Sequence, residues 1–403
     1  MTNPYFLLLL GLSVALAVTP LTSQIARRLR LIDQPSARKR HIGAVPLAGG
    51  MTLLVALAVA LPWLLDGSSV VLAIAVLGLP MLLLGAVDDR FDLPARLRLV
   101  LQLAVAIVLT LGFGVSIQVL DGIVGATPIV FGTGVGIAFT CVCVCGVLNA
   151  TNMSDGVDGL LGTAAAITLA ALGFMAWRAG MVAEAGTAML LFGALLGYLT
   201  YNLGFLGQHR QIFLGDAGSM LVGFVLVVLL IALSQGPQPA ITPTSAGWLL
   251  GLPLIDTVSV MVRRVWQRRS PFSAGRDHMH HILLDLGFGK RSTLLILASV
   301  QLLCVSIGLL ANLNGPPQAP FFWLFVAVTV AQLFGITAVI RARTGGQLTA
   351  LGIVPGTRPR TATAPAVERW QPEPAPRAQV SGDAPASASA SQPARIRRPA
   401  TPA

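Results

Sequence analysis

The chain has 403 residues, 55% of them hydrophobic and only 11% charged, and its mean hydropathy is +0.78. A soluble domain is about a quarter charged, so this composition excludes a water-soluble enzyme of one or two domains. The formal net charge of +11 does not point to nucleic acid as a partner, because Lys and Arg collect in loops between apolar runs, which is a membrane-topology signal.

Eleven runs approach the ~20 apolar residues that a spanning helix needs. They lie at roughly 5–26, 46–65, 70–87, 99–117, 132–149, 159–177, 185–203, 217–234, 246–264, 293–312 and 321–340. They predict an all-α polytopic membrane protein of about eleven transmembrane helices. The start, MTNPYFLLLL, has no basic stretch and reads as a retained first span rather than a cleaved leader. Gly112 and Gly114 interrupt the end of the fourth run. Loops after the first, third, fifth, seventh and ninth runs hold seventeen of the 27 Lys and Arg, the opposite loops hold only Arg178, and nine follow residue 340. That asymmetry predicts a multi-pass protein of the inner (plasma) membrane, with the basic loops and the C-terminus in the cytoplasm. Cys141, Cys143, Cys145 and Cys304 all lie inside apolar runs and offer no disulfide framework. Residues 343–403 hold ten of the 26 prolines and few large apolar groups. They predict a disordered cytoplasmic tail behind a membrane domain of residues 1–342.

Five polar stretches fall on the basic side. Arg38-Lys39-Arg40-His41 precedes the second run, and its His is more than a positive anchor needs. Asp88-Asp89-Arg90-Phe91-Asp92 follows the third run. If the helix continues one turn, Asp88 and Asp92 share a face, and such clustered charge requires a cation or a basic partner. Asn149-Ala-Thr-Asn152-Met-Ser-Asp155-Gly156-Val-Asp158-Gly159 follows the fifth run. Oxygen-rich side chains on a Gly-containing turn suit a hard divalent cation and its phosphate ligands. Gly215-Asp216-Ala-Gly218-Ser219 opens the eighth run, where Asp216 is either a plain cap or part of a phosphate-attracting helix start. Arg276-Asp277-His278-Met-His280-His281 lies in the longest basic loop. It lacks the thiolates and spacing of a closed zinc site, and suits hydrogen bonding to phosphate and sugar. Only Asp256 lies well inside an apolar run, where an interhelical hydrogen bond is expected. A transporter gathers ionisable groups near the midplane. Five polar stretches on one face suit instead an enzyme that joins a polar substrate to a lipid at the interface.

Together, Arg38–His41, Asp88–Asp92, Asn149–Gly159, Gly215–Ser219, Ser270–Ser273 and His278–His281 resemble, in this order, the polyprenyl-phosphate N-acetylhexosamine-1-phosphate transferases over about residues 1–340. The forms here look most like the bacterial WecA branch. The muramoyl-pentapeptide branch has three consecutive histidines, whereas Met279 interrupts the run here. Ala274-Gly275 replaces a more charged stretch expected before Arg276. The resemblance implies UDP-N-acetylglucosamine and undecaprenyl phosphate as substrates, in a bed of membrane lipids, with Mg²⁺, or Mn²⁺ in its place, as cofactor. It makes Asp88, Asp89, Asp155, Asp158 and Asp216 the catalytic carboxylates, with Asp216 and Asn152 on the metal. Asp88 and Asp89 would position the lipid phosphate or take its last proton. Asp155 and Asp158 would order the nucleotide, with Asp158 near uracil. Arg38, Lys39, His41, Asp92, Asn149, Arg276, His278, His280 and His281 would contact substrate. Another UDP-N-acetylhexosamine, or a carrier for a lipid-linked sugar, are the alternatives, and UMP release separates a carrier from an enzyme.

Overall fold

The computed structural model describes residues 3–34, 43–65, 68–120, 127–271, 275–315 and 317–344. Residues 1–356 group as one unit, and residues 357–403, with the rest of the Pro-rich tail from 345, lie outside the described residues. The described chain is almost entirely helical. In order, the helices are α1 (Pro4–Arg28), α2 (Gly49–Leu64), α3 (Ser69–Phe91), α4 (Ala95–Phe113), α5 (Thr133–Ser154), α6 (Leu160–Arg178) and α7 (Val182–Asn202). They continue with α8 (Gly215–Ser234), α9 (Pro243–Leu249), α10 (Gly251–Trp266), α11 (Met279–Asp285), α12 (Lys290–Asn314) and α13 (Ala319–Thr344).

Every apolar run of the sequence became helix. Among the described residues nine helices are long and apolar enough to cross a membrane. Two runs departed from the expected form. The second run gives α2, only 16 residues long. The ninth run is broken into α9 and α10, which meet at 84°. A broken helix in lipid must satisfy its freed backbone groups internally. Here the Leu249 carbonyl accepts from Thr168 Oγ1 at 2.7 Å and Gln301 Nε2 at 2.8 Å, while Leu252 N–H donates to Gln301 Oε1 at 3.0 Å.

α8 is buried along nearly its whole length, whereas α13 is mostly exposed. Two glycine contacts let neighbours approach the start of α8. A methyl group at Gly85 on α3 would overlap the Asp216 carbonyl oxygen and Ala217. One at Gly50 on α2 would lie 2.7 Å from Gly218 N. The segment before α2, Val45–Pro46, pairs antiparallel with Ile32–Asp33. It also holds the segment before α8, since Phe213 N–H donates to the Pro46 carbonyl at 3.0 Å and Gly49 N–H to the Phe213 carbonyl at 3.0 Å.

Candidate active site

Hydrogen bonds join the end of α3 to the starts of α4 and α8, the end of α5 to the start of α8, the turn after α5 to the start of α12, and α10 to the start of α11. The polar motifs therefore meet at one end of the helix bundle.

Asp88 is 3% exposed on the last turn of α3. Its Oδ1 accepts from Leu93 N–H at 2.9 Å, and its Oδ2 is ion-paired with Arg98 Nη1 on α4. Asp88 thus fixes the turn that Pro94 makes necessary. Asp92 closes the helix with a left-handed backbone (φ 50°) and is exposed. The two do not share a face as the sequence suggested, because the helix stops one residue short.

Asp89 points at the start of α8. Its two oxygens accept from Asp216 N–H at 2.8 Å and Ala217 N–H at 3.1 Å. A carboxylate on otherwise unsatisfied N-terminal amides is a helix cap with favourable dipole electrostatics. Gly215, with φ +72°, lets it approach, since a Cβ there would lie 2.7 Å from Asp89 Oδ2. The cap of α8 comes from Asp89 and not from Asp216. The Asp216 side chain is left for other partners: its Oδ1 accepts from Asn152 Nδ2 at 2.7 Å, and Asn152 Nδ2 also reaches Ser219 Oγ at 3.0 Å. The Asp88 carboxyl is also close enough to act electrostatically on Asp216.

Three carboxylates therefore meet against one guanidinium and one helix N-terminus, which is worth about half a positive charge. The excess negative charge at this point is one that a divalent cation would relieve. Among the described residues no three His, Cys, Asp or Glu side chains form a ready metal cage. Magnesium sites commonly use one or two carboxylates together with water and substrate phosphates rather than an all-protein cage. The donor set at Asp216 fits such an ion.

Asn149 turns toward α4. Its Nδ2 donates to Gln102 Oε1 at 2.9 Å and to the Cys145 carbonyl at 2.7 Å, so the amide ties α5 to α4. Asp155 follows the last turn of α5 and is half-buried. Asp158 accepts from Lys290 Nζ at 2.9 Å, a residue at the start of α12. Between them, Gly156 makes room for the His-rich loop, because a Cβ there would overlap His280 Nε2. The Asn149–Gly159 motif and the histidines, distant in sequence, are thus in contact.

Asp256, 4% exposed, organises that loop. Its Oδ2 accepts from His278 Nδ1 at 2.9 Å, and its Oδ1 accepts from Met279 N–H at 3.0 Å and from Gln332 Nε2 on α13 at 3.2 Å. The expected interhelical hydrogen bond is present, but Asp256 also caps α11 and orients His278. The rings of His278 and His280 stack at 5.9 Å, and those of His280 and His281 lie 4.2 Å apart. Burial, with the neighbouring His281, His278 and Arg276, lowers the His280 pKa to about 2. His281 is also lowered, again chiefly by burial. Among the described residues, neither His280 Nε2 nor His281 Nδ1 has a hydrogen-bond partner. A buried polar atom without a partner is costly, and His280 Nε2 is packed against Gly156. Arg276 is exposed and paired with Asp285 at 3.0 Å.

Arg38, Lys39 and His41 lie outside the described residues. Sequence reasoning missed Lys290 and the double role of Asp256, whereas the basic partner expected for the Asp88 cluster is present as Arg98. It also passed over Arg263 and Arg264, which hold the loop through the Asp277 carbonyl at 2.7 Å and the Asp277 carboxylate at 3.3 Å. A signal existed for Arg98, an acid and a base bracketing a Pro turn. None existed for Lys290, whose contact spans 132 residues.

The pattern of glycosyl transferase family 4 matches residues 70–234, which include Asp88, Asp89, Asn152, Asp155, Asp158 and Asp216. The undecaprenyl-phosphate alpha-N-acetylglucosaminyl 1-phosphate transferase of Escherichia coli strain K12 is 35% identical over 292 residues, covering 72% of this chain and 78% of the relative. This chain belongs to glycosyl transferase family 4. The enzyme of the same name from Salmonella typhi is 34% identical over 72% of this chain and 79% of its own. That from Haemophilus influenzae is 33% identical over 78% and 88%. As a family 4 member the chain is a multi-pass membrane protein and a transferase, and its fold brings the family's acidic segments together.

Proposed function

We propose that this chain transfers N-acetylglucosamine 1-phosphate from UDP-N-acetylglucosamine to undecaprenyl phosphate, giving undecaprenyl-diphospho-N-acetylglucosamine and UMP. The observation that carries the proposal is the meeting of Asp88, Asp89, Asn152 and Asp216 at the start of α8. It is supported by the relatives, whose name states N-acetylglucosaminyl 1-phosphate transfer with undecaprenyl phosphate, while the UDP donor rests on the resemblance of the motifs. The site-bearing end faces the cytoplasm, as the basic loops require.

Both substrates are anionic, so charge is the chief obstacle. Magnesium, replaceable by manganese, would be held by Asp216 with Asn152 and would neutralise diphosphate charge. An oxygen of the lipid phosphate attacks the β-phosphorus, a new P–O bond forms, and the bond to the bridging oxygen breaks so that UMP leaves. A phosphate monoester has a second pKa near ~6 and is already largely ionised, so no general base is obligatory. Asp88, neutralised by Arg98, and Asp89, committed to the helix cap, therefore act by position. Asp155, Asp158 and Lys290 order the nucleotide side. His278, His280 and His281 offer ring nitrogens to the sugar and diphosphate.

The test uses purified protein, radiolabelled UDP-N-acetylglucosamine and undecaprenyl phosphate, with Mg²⁺ present or withheld. Expected is UMP together with a lipid-linked sugar, only with the cation. Movement of lipid-linked sugar without UMP release would overturn the proposal in favour of a carrier.

A further inference from the structure

A groove of about 430 Å³ lies between the ends of α1 and α3, lined by Arg28, Arg30 and Arg90 above Leu29, Leu83 and Val87. Among the described residues, no acidic side chain lines it. Arg90 is held in place, because its Nη1 donates to the Leu29 carbonyl at 2.6 Å and its guanidinium lies 5.6 Å from the centre of the Phe91 ring. Below the arginines the apolar wall continues. On α3, Leu72, Val76, Leu79, Leu83 and Val87 form an exposed stripe at helical spacing, and Leu21 and Ile25 on α1, with Leu29 just past its end, are exposed. A cationic mouth above an apolar track at a helix-bundle end matches an amphiphile with an anionic head, since basic pockets between transmembrane helices recruit anionic headgroups.

The face of α3 decides which amphiphile. The groove uses residues 83, 87 and 90, whereas Gly85 and Asp88 on the opposite face pack toward α8 and the carboxylate cluster. At 100° per residue, 83 and 87 are each two residues, about 200°, from 85. A phosphate held by Arg28 and Arg30 is therefore screened from Asp216 by the α3 backbone. We propose that the α1–α3 groove is a binding site for an anionic bulk phospholipid, separate from the acceptor lipid, with its phosphate among Arg28, Arg30 and Arg90 and its acyl chains along the exposed stripe.

The full chain is purified from membranes and exchanged into nanodiscs of phosphatidylcholine with graded phosphatidylglycerol. Retained lipid is counted by native mass spectrometry. Wild-type protein is expected to keep phosphatidylglycerol in preference to phosphatidylcholine. Arg28→Gln/Arg30→Gln leaves the Arg90 hydrogen bond intact and should weaken retention roughly thirtyfold, at about tenfold or less per lost cation. Arg96→Gln, an exposed cation outside the groove, should leave retention unchanged and so separates a site from general surface charge. Equal phosphatidylglycerol retention in the double variant and wild type would overturn the proposal. So would displacement of the retained lipid by stoichiometric undecaprenyl phosphate, which would make the groove the acceptor's site.

Discussion

Asp89 and Asp216 are both acidic, adjacent in space and indistinguishable by composition, yet their oxygens do different work. Asp89 is bound to two backbone amides, and Asp216 to one side-chain amide beside a second carboxyl. Removing the Asp89 cap with Asp89→Ala should cost ~1–2 kcal/mol of stability, read as a lower midpoint of thermal unfolding. Asp216→Asn removes a like charge from a crowded site and should leave that midpoint unchanged or higher. It should lower kcat by ~10³ or more, the several kcal/mol of charge stabilisation that a metal supplies. A thermal midpoint that falls as far in Asp216→Asn as in Asp89→Ala would show the two carboxylates to be structurally equivalent. His280 supplies a pH signature. Its pKa is lowered to about 2 in the folded chain, whereas an unfolded His titrates near ~6.5. Below pH ~6.5 the unfolded state therefore binds the extra proton, so stability falls with pH from there down toward the folded value and is flat above. Lowering the pH from 7 to 5 should therefore disfavour the wild type relative to His280→Gln, read as a difference between their thermal midpoints that shifts toward the variant. Identical pH profiles would remove His280 from the buried, uncharged role.

At the scale of elements, two close approaches set the site. Gly85 lets α3 lie against the start of α8, so Gly85→Ala forces a methyl group into the Asp216 backbone. Overpacking of this kind costs about 1–3 kcal/mol, and it displaces the carboxylates from one another. Loss of both stability and kcat is expected, and unchanged steady-state kinetics in that variant would mean the α3–α8 contact does not position the site. Asp256 does the same for the His loop across α10, α11 and α13. Asp256→Asn should raise KM for the nucleotide sugar more than it lowers kcat, and it should add little when His278 is already Ala. Full additivity of the two changes would make Asp256 a packing residue only. The apolar runs were legible because a spanning helix must be apolar along its length. The break between α9 and α10 was not, because the groups that satisfy it, Thr168 and Gln301, belong to other helices. The motif positions were legible as polar stretches at helix ends. Which Asp caps a helix and which is left for a cation was not, because that depends on where Gly85 and Gly215 let α3 and α8 meet. Asn149, expected to contact substrate, also has a local task that the sequence did not show, since its Nδ2 ties α5 to α4 through Gln102 and to the Cys145 carbonyl.

For the whole molecule, a multi-pass helical body carries its polar chemistry at one end, from segments more than a hundred residues apart. Both Asp89 to Asp216 (127 residues) and Asp158 to Lys290 (132 residues) are such contacts. The Pro-rich tail contributes none of the residues assigned to the site, so truncation after residue 345 should leave turnover in membranes nearly intact. A large fall in kcat in a well-folded truncated protein would give the tail a catalytic part. The central proposal is that Asp216 completes a divalent-cation site only together with a diphosphate. Manganese electron paramagnetic resonance on the purified full chain with UDP present tests it without requiring turnover. The wild type should bind one Mn²⁺, and Asp216→Asn should bind it at least tenfold more weakly at an unchanged unfolding temperature, a loss of ~1.4 kcal/mol. Equal Mn²⁺ affinity in the two proteins would place the cation elsewhere and contradict the site as built here.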